Sequence, residues 1–242
     1  MAVVLITGSS RGIGFGIARA FASQGDTVIL NGRDDSQLAT AVQQLQNSYD
    51  SNIIGTRADL SDYISAKAMF VKIEKTYGPI NVLVNNAGTA HFGLFSDMSP
   101  DCITEVLANN LQTAINASHL AIPHMVRATA GCIINISSIW GVVGASCEVV
   151  YSAAKAGVIG FTKALAKEVG PSGVRVNAIA CGAFETRMND RLTAEEKADF
   201  VDVIPLGRFG MPHEVGDLAV FLASKKAEYL TGQVIALDGG II

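Results

Sequence analysis

The sequence lacks the marks of several large protein classes. Its four cysteines, at positions 102, 132, 147 and 181, show no Cys-x-x-Cys or other metal-ligand spacing, so we expect free thiols and no bound metal. Apolar runs stay well short of the ~20 residues that cross a bilayer, and no membrane partner is expected. The opening residues have neither the basic stretch nor the cleavage site of a signal peptide, which favours a cytoplasmic location.

Positive charge is also scarce. The 18 lysines and arginines are outnumbered by 22 acidic residues, which gives a net charge of −4. This argues against a nucleic-acid partner, since such a partner requires a basic face. What the chain does have is 49% hydrophobic residues and 24 glycines in 242 residues. That is enough to bury a large core, and the length fits one α/β domain over residues 1–242 better than two small ones.

Short apolar runs alternate with helical patterns along the chain. The predicted strands cover residues 3–7, 27–30, 53 to about 59–60, 82–84, 131–137, 174–179 and 234–237. The predicted helices include residues 64–77, 151–169 and 212–223, and another that begins near Pro100 and that Pro123 should kink or end. This alternation predicts a single-domain, Rossmann-type, doubly wound, seven-stranded parallel sheet with helices on both faces.

A glycine-rich loop with the spacing Gly-x3-Gly-x-Gly follows the first predicted strand. Apolar residues at helical spacing come next, so strand, loop and helix N-terminus succeed one another. Backbone N–H groups and the helix dipole at such a turn favour a bound phosphate. The residues expected to hold that phosphate are Gly8, Ser10, Arg11, Gly12, Ile13 and Gly14.

The second predicted strand leads into Asn31 without the acidic residue that binds the ribose 2′-hydroxyl of NAD. Arg33 suits the 2′-phosphate of NADP instead, and Arg11 is a candidate second cation. Asp34 and Asp35 look like capping residues of the next helix. We therefore predict NADP(H) as the cofactor, with Asn31 and Arg33 among its ligands.

Two further strand ends carry polar or small residues. Asp59 and Leu60 follow the third strand, where they can reach an adenine edge. The fourth strand runs into Asn85-Asn86-Ala87-Gly88. The asparagine amides can tie neighbouring strands together, while small residues let a cofactor approach the backbone. We therefore expect Asn86, Ala87 and Gly88 to lie at the cofactor.

Tyr151 and Lys155 stand four apart at the start of a predicted helix, which places both side chains on one helix face. A phenol has a pKa near ~10 and exchanges protons poorly at neutral pH. A lysine ammonium one turn away should favour the phenolate and lower the pKa of the phenol. Ser138, at the end of an apolar run, adds a hydroxyl that could polarise a carbonyl oxygen. On its own, the pair also fits a surface tyrosine beside a solvated lysine.

Together these motifs resemble the short-chain dehydrogenase/reductase family over essentially the whole chain. The matching segments are Thr7-Gly8-x3-Gly12-Ile13-Gly14, Asp59-Leu60, Asn85-Asn86-Ala87-Gly88, Asn110, Ser138, Tyr151-x3-Lys155, Tyr229-Leu-Thr-Gly232 and Asp238-Gly-Gly240. The resemblance implies that hydride passes from NADPH to a carbonyl carbon while Tyr151 protonates the oxygen and Ser138 holds it. It also implies that Lys155 lowers the pKa of the tyrosine and hydrogen-bonds the nicotinamide ribose.

The same resemblance assigns residues outside these motifs. Asn110 would hold a water that links Lys155 to solvent, and Thr186 would bind the nicotinamide carboxamide. The expected residues on the nicotinamide side are Gly182, Phe184 and Thr186. Residues 184–210 are more polar and interrupted, and we expect them to form a substrate lid.

One position departs from the family pattern. The family usually has Pro-Gly after the sixth strand, where this chain has Cys181-Gly182. We expect Cys181 to be a packing residue, because no histidine close in sequence could activate its thiol. The helix that begins at Tyr151 is apolar on nearly every side, so one face should meet the sheet and another a partner subunit. With the resemblance, this suggests a homotetramer.

Among subfamilies, the chain is most similar to 3-oxoacyl-[acyl-carrier-protein] reductases, which implies an acyl-thioester carbonyl substrate. The similarity rests on Tyr151-Ser-Ala-Ala-Lys155-Ala-Gly-Val-Ile-Gly-Phe161-Thr-Lys163 and on Asn177-Ala-Ile. The carrier protein is acidic, yet the positions where cations would be expected hold Ala128, Thr129, Cys132 and Ser172. The remaining candidates are Arg127, Lys163, Lys167 and Arg175. The alternatives are an NADP-dependent dehydrogenase of a small ketone, alcohol, sugar or steroid, and a non-catalytic NADP(H) sensor.

Overall fold

The computed structural model describes residues 1–187 and 193–242. Within them, seven strands form one sheet in the order β3-β2-β1-β4-β5-β6-β7, and every neighbouring pair is parallel. The strands are β1 (Val3–Ile6), β2 (Thr27–Gly32), β3 (Ile53–Arg57), β4 (Val82–Asn85), β5 (Gly131–Ser138), β6 (Val174–Cys181) and β7 (Val234–Leu237). The predicted doubly wound parallel sheet is confirmed.

Helices connect the strands on both faces of the sheet. They are α1 (Gly12–Ser23), α2 (Asp35–Gln46), α3 (Tyr63–Tyr77), α4 (Pro100–Leu107), α5 (Thr113–Ala128), α6 (Trp140–Val143), α7 (Val149–Val169), α8 (Ala194–Asp202) and α9 (Pro212–Ala223). Side chains cap several of them: Asp34 accepts from the backbone N–H groups of Ser36 and Gln37 at the start of α2. The predicted capping role of Asp34 is therefore confirmed.

The central strands are buried on both faces, which explains their continuous apolar sequences. Val4 and Ile6 of β1 belong to a core cluster with α1, α2 and α9, whereas Leu5 points to the opposite cluster, formed with α3, α5 and α7. This alternation follows the two-residue period of a strand. The sheet therefore separates two hydrophobic layers and leaves its carboxyl edge open for loops.

Two local predictions need correction. Helix α5 does not end at Pro123 but continues to Ala128, so the expected end is wrong there, while the alternative, a kink, stays a prediction. Pro123 lies on the exposed side of α5, where water can satisfy the carbonyl that loses its amide partner. The stretch before it is not regular either, since Ala108–Gln112 forms a turn of π-helix between α4 and α5.

The expected lid, residues 184–210, is covered only in part. Residues 188–192 lie outside the described residues, and α8 occupies the following stretch with all its side chains at least partly exposed. Among the described helices, none combines the length and apolarity needed to span a bilayer. The described residues also contain no group of three or more His, Cys, Asp or Glu side chains that could hold a metal ion.

Candidate active site

Four predicted catalytic residues meet at the carboxyl edge of the sheet. Ser138 is the last residue of β5 and pairs in register with Cys181 at the end of β6. Tyr151 and Lys155 lie on the first turns of α7, and Asn110 lies on the π-helical turn. All four are buried, with relative exposures of 6%, 8%, 4% and 1% for Ser138, Tyr151, Lys155 and Asn110.

Direct contacts join these side chains. Ser138 lies close enough to Tyr151 for its hydroxyl to lower the pKa of the phenol, and Nζ of Lys155 lies 5.7 Å from the centre of the tyrosine ring. Gly88 packs against Asn110 and Lys155. A Cβ on Gly88 would lie 2.5 Å from Oδ1 of Asn110 and 3.4 Å from Nζ of Lys155. A side chain at position 88 would therefore displace Asn110, which explains the glycine at this strand end.

Backbone contacts with β5 position Lys155. Its ammonium donates to the carbonyl of Ile136 at 3.0 Å, and Ser137 donates from its hydroxyl to the carbonyl of Lys155 at 2.9 Å. Ser137 and Ser138 therefore face opposite sides of the strand end and do different work. Ser137 anchors α7 to the sheet, while Ser138 is left to meet the tyrosine.

The π-helical turn accounts for an asparagine inside a helix. The amide nitrogen of Asn110 donates to the carbonyls of Val106 at 2.9 Å and Thr89 at 2.8 Å, and its Oδ1 accepts from the Thr89 N–H at 3.2 Å. An alanine would leave these groups unsatisfied in a buried position. The water that Asn110 is expected to hold stays a prediction.

Electrostatics at the site correct one expectation. Burial raises the pKa of Tyr151, and the charge of Glu148 raises it further, whereas the hydrogen bond with Ser138 opposes the shift. Burial also lowers the pKa of Lys155 to about 8. The expectation that Lys155 lowers the pKa of the phenol is therefore wrong for this arrangement, because the ammonium is directed at Ile136 and desolvation dominates.

Cys181 is a packing residue, as predicted. Its side chain is buried in the core, and its carbonyl accepts from the Ile139 N–H at 3.0 Å. Burial raises the pKa of its thiol to about 12, although the nearby Lys155 charge opposes the shift. A thiol that holds its proton at neutral pH is a poor nucleophile.

The glycine-rich loop and the start of α1 have the features expected of an anion site. The N-cap residue Arg11 makes no side-chain cap hydrogen bond, and the first turn of α1 carries no acidic residue, so its N–H groups can bind an anion. Gly8 is left-handed, and a Cβ there would lie 2.8 Å from Cα of Ala87. A Cβ on Gly14 would lie 2.5 Å from the amide nitrogen of Asn86. Glycine is therefore needed at both positions for the loop to pack against Asn86 and Ala87.

Asn86 and Thr7 hold this loop against β4. The amide of Asn86 donates to the carbonyls of Thr7 at 2.9 Å and Gly8 at 2.8 Å, and the Thr7 hydroxyl accepts from the N–H groups of Asn86 and Ala87. Asn85 reaches the other way, to Ser118 and Asn135. The predicted use of these asparagines to tie strands is confirmed, and Asn86 supports the cofactor loop from behind.

Arg33 presents an accessible guanidinium group, as a phosphate ligand requires. Its side chain is 55% exposed and lies 3.9 Å from Asp59, and its NH1 donates to Oδ1 of Asn109 at 3.2 Å. Arg57 joins it, donating to the carbonyl of Arg33 at 3.1 Å and to Asp35 at 3.2 Å. Sequence reasoning missed Arg57, although the parallel register pairs it with Gly32, next to Arg33.

Three of the predicted cofactor residues have structural roles in their side chains. Asn31 is buried, and its amide nitrogen donates to the carbonyls of Thr56 and Ala58, so its side chain ties β2 to the end of β3. Leu60 is buried in the core. The Phe184 ring packs in the core beneath Gly210, where a Cβ would lie 2.5 Å from it. The side chains of these three residues are therefore structural, and the expected contacts of their positions with the cofactor stay predictions.

Other predicted positions remain at the edge of the site. Asp59 is partly exposed; burial raises its pKa, but hydrogen bonds from Ser61 and the charge of Arg33 outweigh this and lower it. Thr186 lies 3.6 Å from the Cβ position of Gly12, beside a cavity of about 400 Å³. A Cβ on Gly182 would lie 2.7 Å from Cα of Asp238, so these two residues are close together. The contacts of these residues with a cofactor stay predictions.

Comparisons with known proteins agree with this architecture. A family model described as "Enoyl-(Acyl carrier protein) reductase" matches residues 8–242. A 3-oxoacyl-[acyl-carrier-protein] reductase of Chlamydia muridarum is 41% identical over 237 residues, which cover 98% of this chain and 96% of that protein.

Two solved structures superimpose over nearly the whole chain. A candidate gluconate dehydrogenase of Agrobacterium tumefaciens has a TM-score of 0.96 at 30% identity and covers 99% of this chain and 95% of its own. A variant of actinorhodin polyketide ketoreductase, solved with NADPH, has a TM-score of 0.95 at 30% identity and covers 99% and 97%. The fold, the motifs and these matches agree: the chain belongs to the short-chain dehydrogenase/reductase family.

Proposed function

We propose that the protein is an NADP(H)-dependent carbonyl reductase that acts on 3-oxoacyl thioesters carried by acyl carrier protein. The observation that carries the proposal is the buried contact of Ser138 with Tyr151, beside Lys155, at the edge that also holds the glycine-rich loop. A relative at 41% identity bears the name of this activity. Two hydroxyl groups that converge on one point suit a carbonyl oxygen, which favours a ketone over a carbon–carbon double bond.

The chain's own residues supply positioning and the proton. NADPH, when bound, supplies the hydride. Ser138 holds the substrate oxygen and Tyr151 gives it a proton; the raised pKa of Tyr151 keeps the phenol protonated at neutral pH, as a donor requires. Lys155, with a pKa near 8, carries its charge on most molecules at pH 7, is held by the Ile136 carbonyl and would hydrogen-bond the nicotinamide ribose of the bound cofactor.

We assign cofactor binding and the preference for NADP(H) to the glycine-rich loop and to the carboxyl ends of β2 and β3. The N–H groups at the start of α1 would hold the pyrophosphate. Arg33, with Arg11 and Arg57 nearby, would bind the 2′-phosphate, since planar guanidinium groups pair well with phosphate oxygens. Arg11 at present donates to Gln37 at 3.2 Å, a neutral and exposed partner that a phosphate can replace.

Docking of the acidic carrier has fewer supporting residues than the sequence indicated. Arg175 donates to the carbonyls of Leu222 and Ala223, so it braces β6 against the end of α9. Lys163 and Lys167 are exposed but lie roughly 18 and 24 Å along α7 from Tyr151, at 1.5 Å per residue. A carrier at the mouth of this protomer would need cations from elsewhere, such as a neighbouring subunit.

A substrate panel tests the proposed reaction. Oxidation of NADPH is followed by absorbance with acetoacetyl thioesters of acyl carrier protein and of pantetheine, and with simple ketones and diketones. We expect kcat/KM to be highest for the carrier thioester. Equal rates with carrier and pantetheine would refute carrier recognition, and turnover of small ketones or sugars alone would favour the second candidate, to which the gluconate dehydrogenase likeness points. A complete lack of turnover would favour a sensor, although Tyr151 and Lys155 argue against one.

We also propose a homotetramer. Helix α7 is exposed along one face, formed by Val149, Ala153, Ala156, Gly160 and Ala164. An apolar face of this length is usually covered, and small residues allow two helices to approach closely. Multi-angle light scattering should give about four times the protomer mass, and a monomer at micromolar concentration would refute the assignment.

A further inference from the structure

Four buried polar side chains form a hydrogen-bonded row between the sheet and the helices α5 and α7. Nδ2 of Asn85 donates to the Ser118 hydroxyl at 2.9 Å and to Oδ1 of Asn135 at 2.8 Å. Nδ2 of Asn135 donates in turn to Oγ1 of Thr162 at 2.8 Å. All four residues are buried. Buried polar groups cost free energy unless such bonds are made, so the row favours one arrangement of the elements around it.

The hydroxyl of Thr162 connects this row to the backbone of α7. It donates to the Val158 carbonyl at 2.8 Å, one turn earlier in the same helix. A hydroxyl has a single proton to donate, so the oxygen of Thr162 is left to accept from Asn135. At the other end of the row, Asn135 of β5 and Asn85 of β4 are paired in register. The row therefore fastens α7 to two neighbouring strands.

Thr162 lies on the same helix face as Lys155, which it follows by seven residues, or two turns. Lys155 is itself bound to β5, through the Ile136 carbonyl and the Ser137 hydroxyl. Three consecutive residues of β5 thus hold α7, two at Lys155 and one about 10.5 Å further along the helix. Two anchors at different heights fix the direction of a helix axis, whereas a single anchor lets the helix pivot.

The end of β4 joins this anchor to the cofactor loop. Asn85 is followed by Asn86, whose amide donates to the carbonyls of Thr7 and Gly8 in the glycine-rich loop. One asparagine therefore holds the loop, and its neighbour holds, through the buried row, the helix that carries Tyr151. The distance between a cofactor bound at the loop and the phenol depends on both sets of bonds.

We propose that Thr162 is a positioning residue that acts through Tyr151. Its hydrogen bond with Asn135 fixes the tilt of α7 and thereby the place of the phenol beside the cofactor. The inference rests on the proposed function and deepens it. If α7 pivots at Lys155, a shift of about 1 Å at Thr162 moves Tyr151 by about 0.6 Å, because the two lever arms are about 10.5 and 6 Å. A misplacement of about 1 Å can cost a reaction about a hundredfold.

The test compares Thr162→Val with Ser118→Ala. Each removes one hydroxyl from the same buried row, and each should lower the melting temperature, because a buried amide hydrogen loses its acceptor. Only Thr162 lies on α7, so a purely structural effect would move the rates of both variants alike.

The rate is measured in single turnovers with NADPH and the acetoacetyl thioester of acyl carrier protein. For Thr162→Val we expect it to fall about tenfold, while the KM for the thioester and the Kd for NADPH change by less than about twofold. Ser118→Ala should keep its rate within about twofold of the wild type. Equal losses of rate in the two variants, or an unchanged rate in Thr162→Val, would overturn the proposal.

Thr162→Ser keeps the hydroxyl and loses only the methyl group. It should return the rate to within about twofold of the wild type, even though the lost methyl lowers the melting temperature. If Thr162→Val does not fold, Thr162→Ala is measured in the same way. Failure of both to fold would overturn the proposal, because Thr162 would then be a requirement of the fold alone.

Amide hydrogen exchange reads the position of α7 without turnover. Exchange in residues 149–158, followed by mass spectrometry, should rise in Thr162→Val and stay at the wild-type level in Ser118→Ala. If the wild-type protein reduced no thioester while this difference held, the proposed function would be refuted and the anchoring of α7 by Thr162 would be supported. Exchange that rises equally in both variants would overturn the anchoring itself.

Discussion

Tyr151→Phe is expected to lower kcat for thioester reduction about a thousandfold while the Kd for NADPH changes by less than about twofold. The substitution removes the proton donor but keeps the ring, which packs against Val106 and Val150. General acid catalysis contributes factors of about 10² to 10⁴, and the Ser138 hydroxyl would lose its partner at the same time. Single-turnover absorbance of NADPH gives the rate, and cofactor fluorescence gives the Kd.

Tyr77→Phe is the matched control for this result. Tyr77 is the last residue of α3, on the face of the sheet away from the glycine-rich loop, and it is partly buried like many structural tyrosines. Loss of its hydroxyl should leave kcat within about twofold. Activity of Tyr151→Phe near the wild-type value would remove the tyrosine from the mechanism and with it the reductase assignment.

Arg33→Asp should weaken NADPH binding about a hundredfold and leave NADH binding unchanged or slightly improved. A charge-assisted hydrogen bond contributes about 1.5–3 kcal/mol, and the new carboxylate adds repulsion toward the 2′-phosphate. An aspartate at this strand end is also the residue type that accepts hydrogen bonds from a ribose 2′-hydroxyl. Fluorescence titration with both cofactors, repeated at two salt concentrations, measures the ratio of Kd values.

Arg127→Asp makes the same change of charge at an exposed residue in the last turn of α5. It should shift both Kd values little and in parallel, because screening limits the field of a distant surface charge. If Arg33→Asp left the NADPH to NADH ratio as it is in the wild type, the phosphate would have to be bound elsewhere. Arg57, which sequence reasoning did not identify, would then be the next residue to test.

Much of the fold follows from local sequence. Strands such as β1 and β5 are continuous apolar runs because they are covered on both faces, and the glycine-rich loop announces a turn between strand and helix. The shared helix face of Tyr151 and Lys155 is equally predictable, because residues four apart on a helix are neighbours. These features depend on neighbours in sequence, and the structure bears them out.

What the sequence could not supply depends on neighbours in space. The pKa of Tyr151 is set by burial and by Glu148, and neither is visible from the spacing to Lys155. Arg57 reaches Arg33 only because β2 and β3 pair in a particular register. The sequence made Arg175 a candidate cation for the carrier protein, whereas in the structure it donates to a backbone carbonyl at the end of α9. Tertiary contacts decide charge state and availability, whereas sequence patterns decide secondary structure.

The hydrogen bond between Arg33 and Asn109 has a consequence for protein engineering. Asn109 stands next to Asn110 on the π-helical turn, and Asn110 is packed through Gly88 against Lys155. Replacing Arg33 to change the coenzyme preference therefore removes a hydrogen bond from Asn109, the residue next to Asn110. We expect substitutions that change the coenzyme preference to lower the turnover rate as well. Libraries that vary positions 33 and 109 together are the way to recover it.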